Sequence, residues 1–221
     1  MATVGAYYGS DNDSNVIQDF DNIRANRGPN VGDANHRLLA DWIYDLPKLT
    51  GHGQLVRQAL GGWEVTGIFS TRSGNRVTIS ETCASNWFCR PDYVGGSLVV
   101  SSWKETTASR CTVGARCSVQ FINKNAFALV PVHPVTRIAI RPGNLGNGIL
   151  RGPASVSVDV SLSKNFQLRE HMKLQIRGDM FNFLNHVNYS DPGSGLNSAT
   201  FGEINGAGGM RVIQLNGRIS W

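Results

Sequence analysis

Period-two patterns mark five stretches of the chain, and each stretch has one face nearly free of charge. From His36, the even positions Leu38, Ala40, Trp42, Tyr44 and Leu46 are apolar, while Arg37, Asp41 and Asp45 occupy the odd face. Trp63, Val65, Gly67 and Phe69 alternate with Glu64, Thr66, Ile68 and Ser70, and Val77 and Ile79 carry the phase on. Val156, Val158, Val160 and Leu162 stand against Ser155, Ser157, Asp159, Ser161 and Ser163; Phe166 and Leu168 keep that register after one lapse at Lys164. Met172, Leu174, Ile176, Gly178 and Met180 oppose Lys173, Gln175, Arg177 and Asp179. Last come Ile213, Leu215, Gly217, Ile219 and Trp221 against Gln214, Asn216, Arg218 and Ser220.

Period two predicts strands, and a phase held for about ten residues matches the ~9 to 11 of a tilted membrane-spanning strand better than the ~5 to 6 usual in soluble sheets. If the strands run up and down, residues 47–61 and the LREH turn at 168–171 lie at one end, and the long polar segments 81–152 and 187–210 lie at the other. Short turns on one side and long loops on the other is the asymmetry of an outer-membrane barrel, and Trp42, Tyr44, Trp63 and Trp221 would then sit near the interfaces. The predicted class is all-β, with antiparallel up-and-down strands of an outer-membrane-type barrel. The same alternation also builds a small soluble barrel or sandwich whose apolar stripe becomes a core. Residues 1–35 are read as a partial strand and polar loop, and 36–221 as the barrel segment carrying the long cysteine-containing loop 81–152.

Composition agrees with a turn-rich β protein: 25 of 221 residues are glycine and only 17% are charged. The net charge of +5 is spread singly, without interleaved aromatics, so no nucleic-acid partner is read from it. MATVGAYYGSDNDSN has neither a basic start nor an apolar core, so no secretory signal is read there. Cys83 and Cys89, then Cys111 and Cys117, form two local pairs with the same spacing, which suits two loop-stapling disulfides in an oxidising compartment, although three connectivities are open. Five intervening residues is wide for a structural zinc site.

The series RGPNVGDANHRLLADWIYDLP, LGGWEVTGIFSTRSGNRVTI, GNLGNGILRGP, VDVSLSKNFQL, LQIRGDMFNFLNHVNY and ATFGEI with RVIQLNGRISW resembles the C-terminal part of TonB-dependent receptors. It is most similar to the Oar-like branch with a carboxypeptidase-regulatory-like domain. The likeness runs in order from about Arg27 to Trp221. It implies the outer membrane as location and lipid as surroundings. The implied partners are the barrel-insertion machinery and the upstream strands and plug of a full-length receptor. Trp221, with Ile219 and Leu215 before it, matches the family's C-terminal assembly signal. The plug, the energising box and the regulatory-like domain have no counterpart in these residues.

Ser161 and Lys164 form an S-x-x-K pair, the spacing of a serine nucleophile and its base. Three residues apart in a strand they point to opposite faces, and no K-T-G or S-D-N companion appears. His36, His52, His133, His171 and His186 show no metal-binding spacing, and His186 is the nearest acid/base candidate to Asp179. GNLGNG at 143–148 does not fit a dinucleotide fingerprint, and a short helix is expected at 54–60. The chain is thus read as non-enzymatic, with no catalytic residue, cofactor or metal. The alternative is a soluble β-domain acting as a serine-type ester or lactam hydrolase through Ser161 and Lys164, or as a binding module.

Overall fold

The computed structural model describes residues 17–19, 21–29, 33–51, 53–83, 89–104 and 118–221. In chain order the strands are β1 (Arg37–Asp45), β2 (Glu64–Arg72), β3 (Arg76–Val77), β4 (Asp92–Tyr93), β5 (Val119–Gln120) and β6 (Phe127–Ala128). They continue with β7 (Leu150–Arg151), β8 (Ser155–Arg169), β9 (Met172–Phe181), β10 (Glu203–Ile204) and β11 (Val212–Ser220). One helix of seven residues, α1 (Gln54–Leu60), lies between β1 and β2, on the residues where the sequence predicts it.

Two compact units share these elements. The first is a sheet built from His36–Arg72, Ser155–Asn188 and Gly209–Trp221. Its five strands lie in the order β1-β2-β8-β9-β11, every neighbour antiparallel. The all-β, antiparallel class predicted from alternation is the class observed. Register follows from the pattern: Trp42 pairs with Gly67, Gly67 with Val160, Val160 with Met180 and Met180 with Ile213, one apolar row across the whole sheet. A slip of one residue would turn every such side chain over, which is why a two-faced sheet fixes its register strongly.

Among the described residues much of the apolar face is open: Leu38, Tyr44, Ile213, Leu215 and Ile219 are all exposed. A soluble sandwich would bury this stripe under a second sheet. At Gly67 the sheet covers itself, because a Cβ there would fall 2.0 Å from the Trp42 indole, so the ring lies directly over the glycine. The lapse at Lys164 is also explained. Lys164 is buried on the apolar face, and its Nζ reaches the carbonyls of Gln58 and Gly61 at the end of α1, the latter at 2.6 Å. Trp63 and Phe166 flank the ammonium at 5.3 and 5.0 Å from their ring centroids. A long stem along apolar surface with its charge at the polar boundary is snorkelling.

The second unit takes in Ser73–Ala154 and Tyr189–Gly208 with N-terminal residues up to Asn35. Three two-stranded ribbons, β3 with β7, β4 with β6 and β5 with β10, surround a core of Val77, Ile79, Phe121, Ile122, Phe127 and Phe201 with their neighbours. Trp103 meets Phe121 and Tyr189 edge-on at 4.9 and 5.8 Å, the offset geometry aromatic pairs prefer. Here the structure corrects one expectation. Val77 and Ile79 keep the phase of β2, but β2 ends at Arg72 and both residues enter this core. The break at 73–75 is held by new partners: Arg151 donates to the Gly74 carbonyl, and the Gly152 amide to that of Asn75.

Candidate functional site

The sheet's polar face is the first candidate surface. Asp41, Asp45 and Glu64 put carboxylates on β1 and β2, serines line β8, and Lys173, Arg177 and Arg218 put cations on β9 and β11. Asp45, Glu64, Ser163, Arg177 and Asn216 share one row, so charge changes sign across β8, between Glu64 and an Arg177 two strand spacings of ~4.8 Å away. Asp179 organises the basic side: it accepts from Arg177 Nε at 2.7 Å and Asn216 Nδ2 at 3.2 Å, and bonds the Ser161 hydroxyl. A hollow of about 330 Å³ opens there between Gln175, Arg177, Asp179, Asn216 and Arg218. Such a face can hold hydrated or dipolar solutes by hydrogen bonds. Not all of it is polar, since Leu39, Ile43 and Ile68 lie on it exposed.

The alternative nucleophile pair is not brought together. Ser161 stands opposite Thr66 and Asp179 on the polar face, whereas Lys164 stands opposite Ile176 on the apolar face with its ammonium on backbone carbonyls. His186 is not among the partners of Asp179, which are Arg177, Asn216 and Ser161; its amide bonds the Asn182 side chain. Among the described residues no group of three or more His, Cys, Asp or Glu could hold a metal ion. Leu215 and Ile219 pair with Gly178 and Leu174 on the apolar face, and Trp221 stands almost fully exposed just past β11.

The second candidate surface is the loop unit. Cys83 and Cys89 are disulfide-bonded, while Cys111, Cys117 and His52 lie outside the described residues. Next to the bridge, Arg90 is almost completely buried and donates to the carbonyls of Leu145 and Ala25 and to Asn26 Oδ1, at 2.8, 3.0 and 3.0 Å. Burial lowers its pKa from the usual guanidinium value. The GNLGNG stretch wraps this side chain. A Cβ at Gly143 would fall 1.9 Å from the Arg90 carbonyl, so the backbone passes too close for any other residue.

Two buried carboxylates complete the unit. Asp92 holds Arg141 in a two-toothed ion pair at 2.8 and 2.6 Å and accepts from the Asn144 amide, which keeps its pKa below the ordinary aspartate value. Glu81 has the Val130 amide at 3.2 Å as donor to both oxygens. Burial pushes its pKa up, the Val130 bond opposes this in part, and the Asp92 charge adds to the rise. Sequence periodicity missed Arg90, Glu81 and Asp92, because their partners lie dozens of residues away in segments without a repeat. Only the placing of Arg90 directly after a cysteine hinted at a fixed position.

Their shifts set opposite pH dependences. Asp92 contributes stability that is present above its unfolded pKa and lost as pH falls through the depressed one. Glu81 binds its proton more tightly when folded, so it withdraws stability as pH rises from 4.5 through its raised value. Glu81→Gln keeps an acceptor for Val130 and removes the charge. The urea midpoint followed by Trp103 fluorescence, with the other four tryptophans replaced by phenylalanine, should therefore rise at neutral pH and lose its decline above the glutamate range; an unaltered pH profile would contradict this account.

An outer membrane beta barrel domain is the family model that matches the sequence, over residues 1–214. No curated protein and no solved structure matches the chain.

Proposed function

The chain belongs to the outer membrane beta barrel domain family, and from that premise we propose that it forms a wall segment and the ligand-capturing loops of a TonB-dependent receptor of the Oar-like branch. The observation that carries this reading is the two-faced, five-stranded, up-and-down sheet with its apolar face open. The nine paired rows of β1, β2 and β8 span roughly 30 Å along the strand, or about 23 Å along the normal at the usual ~40° tilt, close to the ~25 Å apolar band of such barrels. The apolar stripe faces lipid, the charge-zoned face lines the lumen, and Trp63 with Lys164 marks one boundary of the band.

Strand parity defines what completes the wall. With five antiparallel strands, the edge strands β1 and β11 run in the same direction. A ring of identical copies would have to join them in parallel, whereas single-chain bacterial barrels are antiparallel with an even strand count. The complement is therefore an odd number of strands, supplied by the remainder of the receptor that also holds the plug. Leu215, Ile219 and Trp221, set along the exposed face and end of β11, suit reading by the barrel-insertion machinery before that seam closes.

Expressed in a Gram-negative host behind a cleavable secretory signal, the chain should fractionate with the outer membrane, leave it only in detergent and show a β-rich circular dichroism spectrum. A monodisperse monomer in plain buffer would overturn the barrel reading. The receptor reading has its own check: the reading frame upstream of Met1 should continue into further alternating strands and a plug, and an in-frame stop there would remove it.

A further inference from the structure

Within the loop unit, residues 129–141 (LVPVHPVTRIAIR) form a projecting hairpin. Val132 bridges Ala139, the His133 amide bonds the Ile138 carbonyl at 2.8 Å, and the Ile140 amide bonds the Pro131 carbonyl at 3.0 Å. At the turn, His133 Nδ1 accepts from the amides of Val135 and Thr136, and Arg137 takes a left-handed conformation at φ 60°. Both legs are clamped at the root by a buried carboxylate, Glu81 on the Val130 amide and Asp92 on the Arg141 guanidinium. The hairpin is thus rigidly mounted, yet Leu129, Val132, Val135, Ile138 and Ile140 are exposed, Val135 to 83%.

Five exposed apolar side chains on one ribbon call for a partner. Cross-strand pairing puts Val132 and Ala139 on one face, Pro131, Ile138 and Ile140 on the other, and Val135 at the tip. A protein groove or a second copy would cover one face and leave the other wet. A fluid apolar phase surrounds both. The charge agrees: Arg141 is held by Asp92, and Arg137, close to Val135 at the tip, is the cation left to the surface in a segment without Asp or Glu, which complements anionic headgroups. Two strands alone leave edge amides unpaired, so the ribbon suits interfacial depth rather than the hydrocarbon centre. We propose that the 129–141 hairpin is a membrane-docking tongue that takes an anionic lipid surface, an inference that rests on reading the chain as an outer-membrane wall.

The full chain with Thr136→Cys, carrying an environment-sensitive fluorophore, is folded with phosphatidylcholine vesicles or with vesicles also containing phosphatidylglycerol. A blue-shifted emission and a several-fold fall in iodide quenching are expected on the anionic vesicles. Arg137→Gln should weaken that response about fivefold, as expected for one cation near an anionic surface, and Ile138→Asp should remove it. A label equally quenched with and without vesicles overturns the tongue, as does protection that depends on protein concentration and not on lipid. Protease protection of β8 and β9 reports strand insertion separately. Inserted strands with a silent label leave the wall and remove the tongue; a responsive label without insertion does the reverse.

Discussion

An arginine at Val160 should prevent stable membrane insertion of the sheet, whereas the same substitution one residue on, at Ser161, should be tolerated. Val160 lies in the middle row of the apolar face, between Gly67 and Met180 on the central strand. A lipid-facing charge at mid-depth in an outer-membrane barrel costs about 2–4 kcal/mol. Ser161 points the other way, beside Asp179, where a guanidinium gains a carboxylate and stays hydrated. Folding titrations in lipid vesicles, read by gel mobility shift and circular dichroism, give both numbers. Equal penalties at the two sites would show that neither face meets hydrocarbon, and a larger one at Ser161 would invert the wall.

This pair of substitutions also isolates what alternation alone can establish. The sequence places strands at 36–46, 172–180 and 213–221, and the structure places them at Arg37–Asp45, Met172–Phe181 and Val212–Ser220. Such agreement has a physical cause: in a two-faced sheet every second residue meets the same environment, so the pattern is written locally. Ser161 and Lys164 are separated by the same logic, and the apparent defect at Lys164 is a boundary residue whose charge leaves the apolar face at the end of α1.

The loop unit was not legible because its order is not local. Its ribbons are two residues long, too short for a period, and they join segments such as Val77 with Leu150 and Val119 with Ile204. Val77 and Ile79 illustrate the limit: their alternation is real, but their burial comes from Phe121, Leu145 and Phe201 rather than from a continuing strand. Likewise no sequence rule signals that a glycine-rich GNLGNG wraps a buried arginine.

That arginine carries the second large effect. Arg90→Met should open the loop unit while leaving the five-stranded sheet folded. The guanidinium ties its own segment to two others, meeting Ala25 and Asn26 on one and Leu145 on the other. Methionine fills part of the volume but takes the arginine's donors from the Leu145 and Ala25 carbonyls, in a region where water has little access, at about 1–3 kcal/mol for each group left unsatisfied, while Asn26 Oδ1 keeps the Gln18 amide. A loss on the order of 3 kcal/mol or more is therefore expected, a large share of the ~5–15 kcal/mol that holds typical domains. Arg90→Lys retains the charge but is a single point donor facing three diverging acceptors, so it should recover only part of the loss. Trp103 fluorescence during urea unfolding, in a chain whose other four tryptophans are replaced by phenylalanine, reads the loop unit, and hydrogen exchange of β8 and β9 amides reads the sheet. Early loss of the Trp103 signal with unchanged β8 protection is the expected result. If both signals fall together, the two units unfold as one and the arginine is a keystone for the whole chain; if neither moves, its three bonds contribute nothing net to stability.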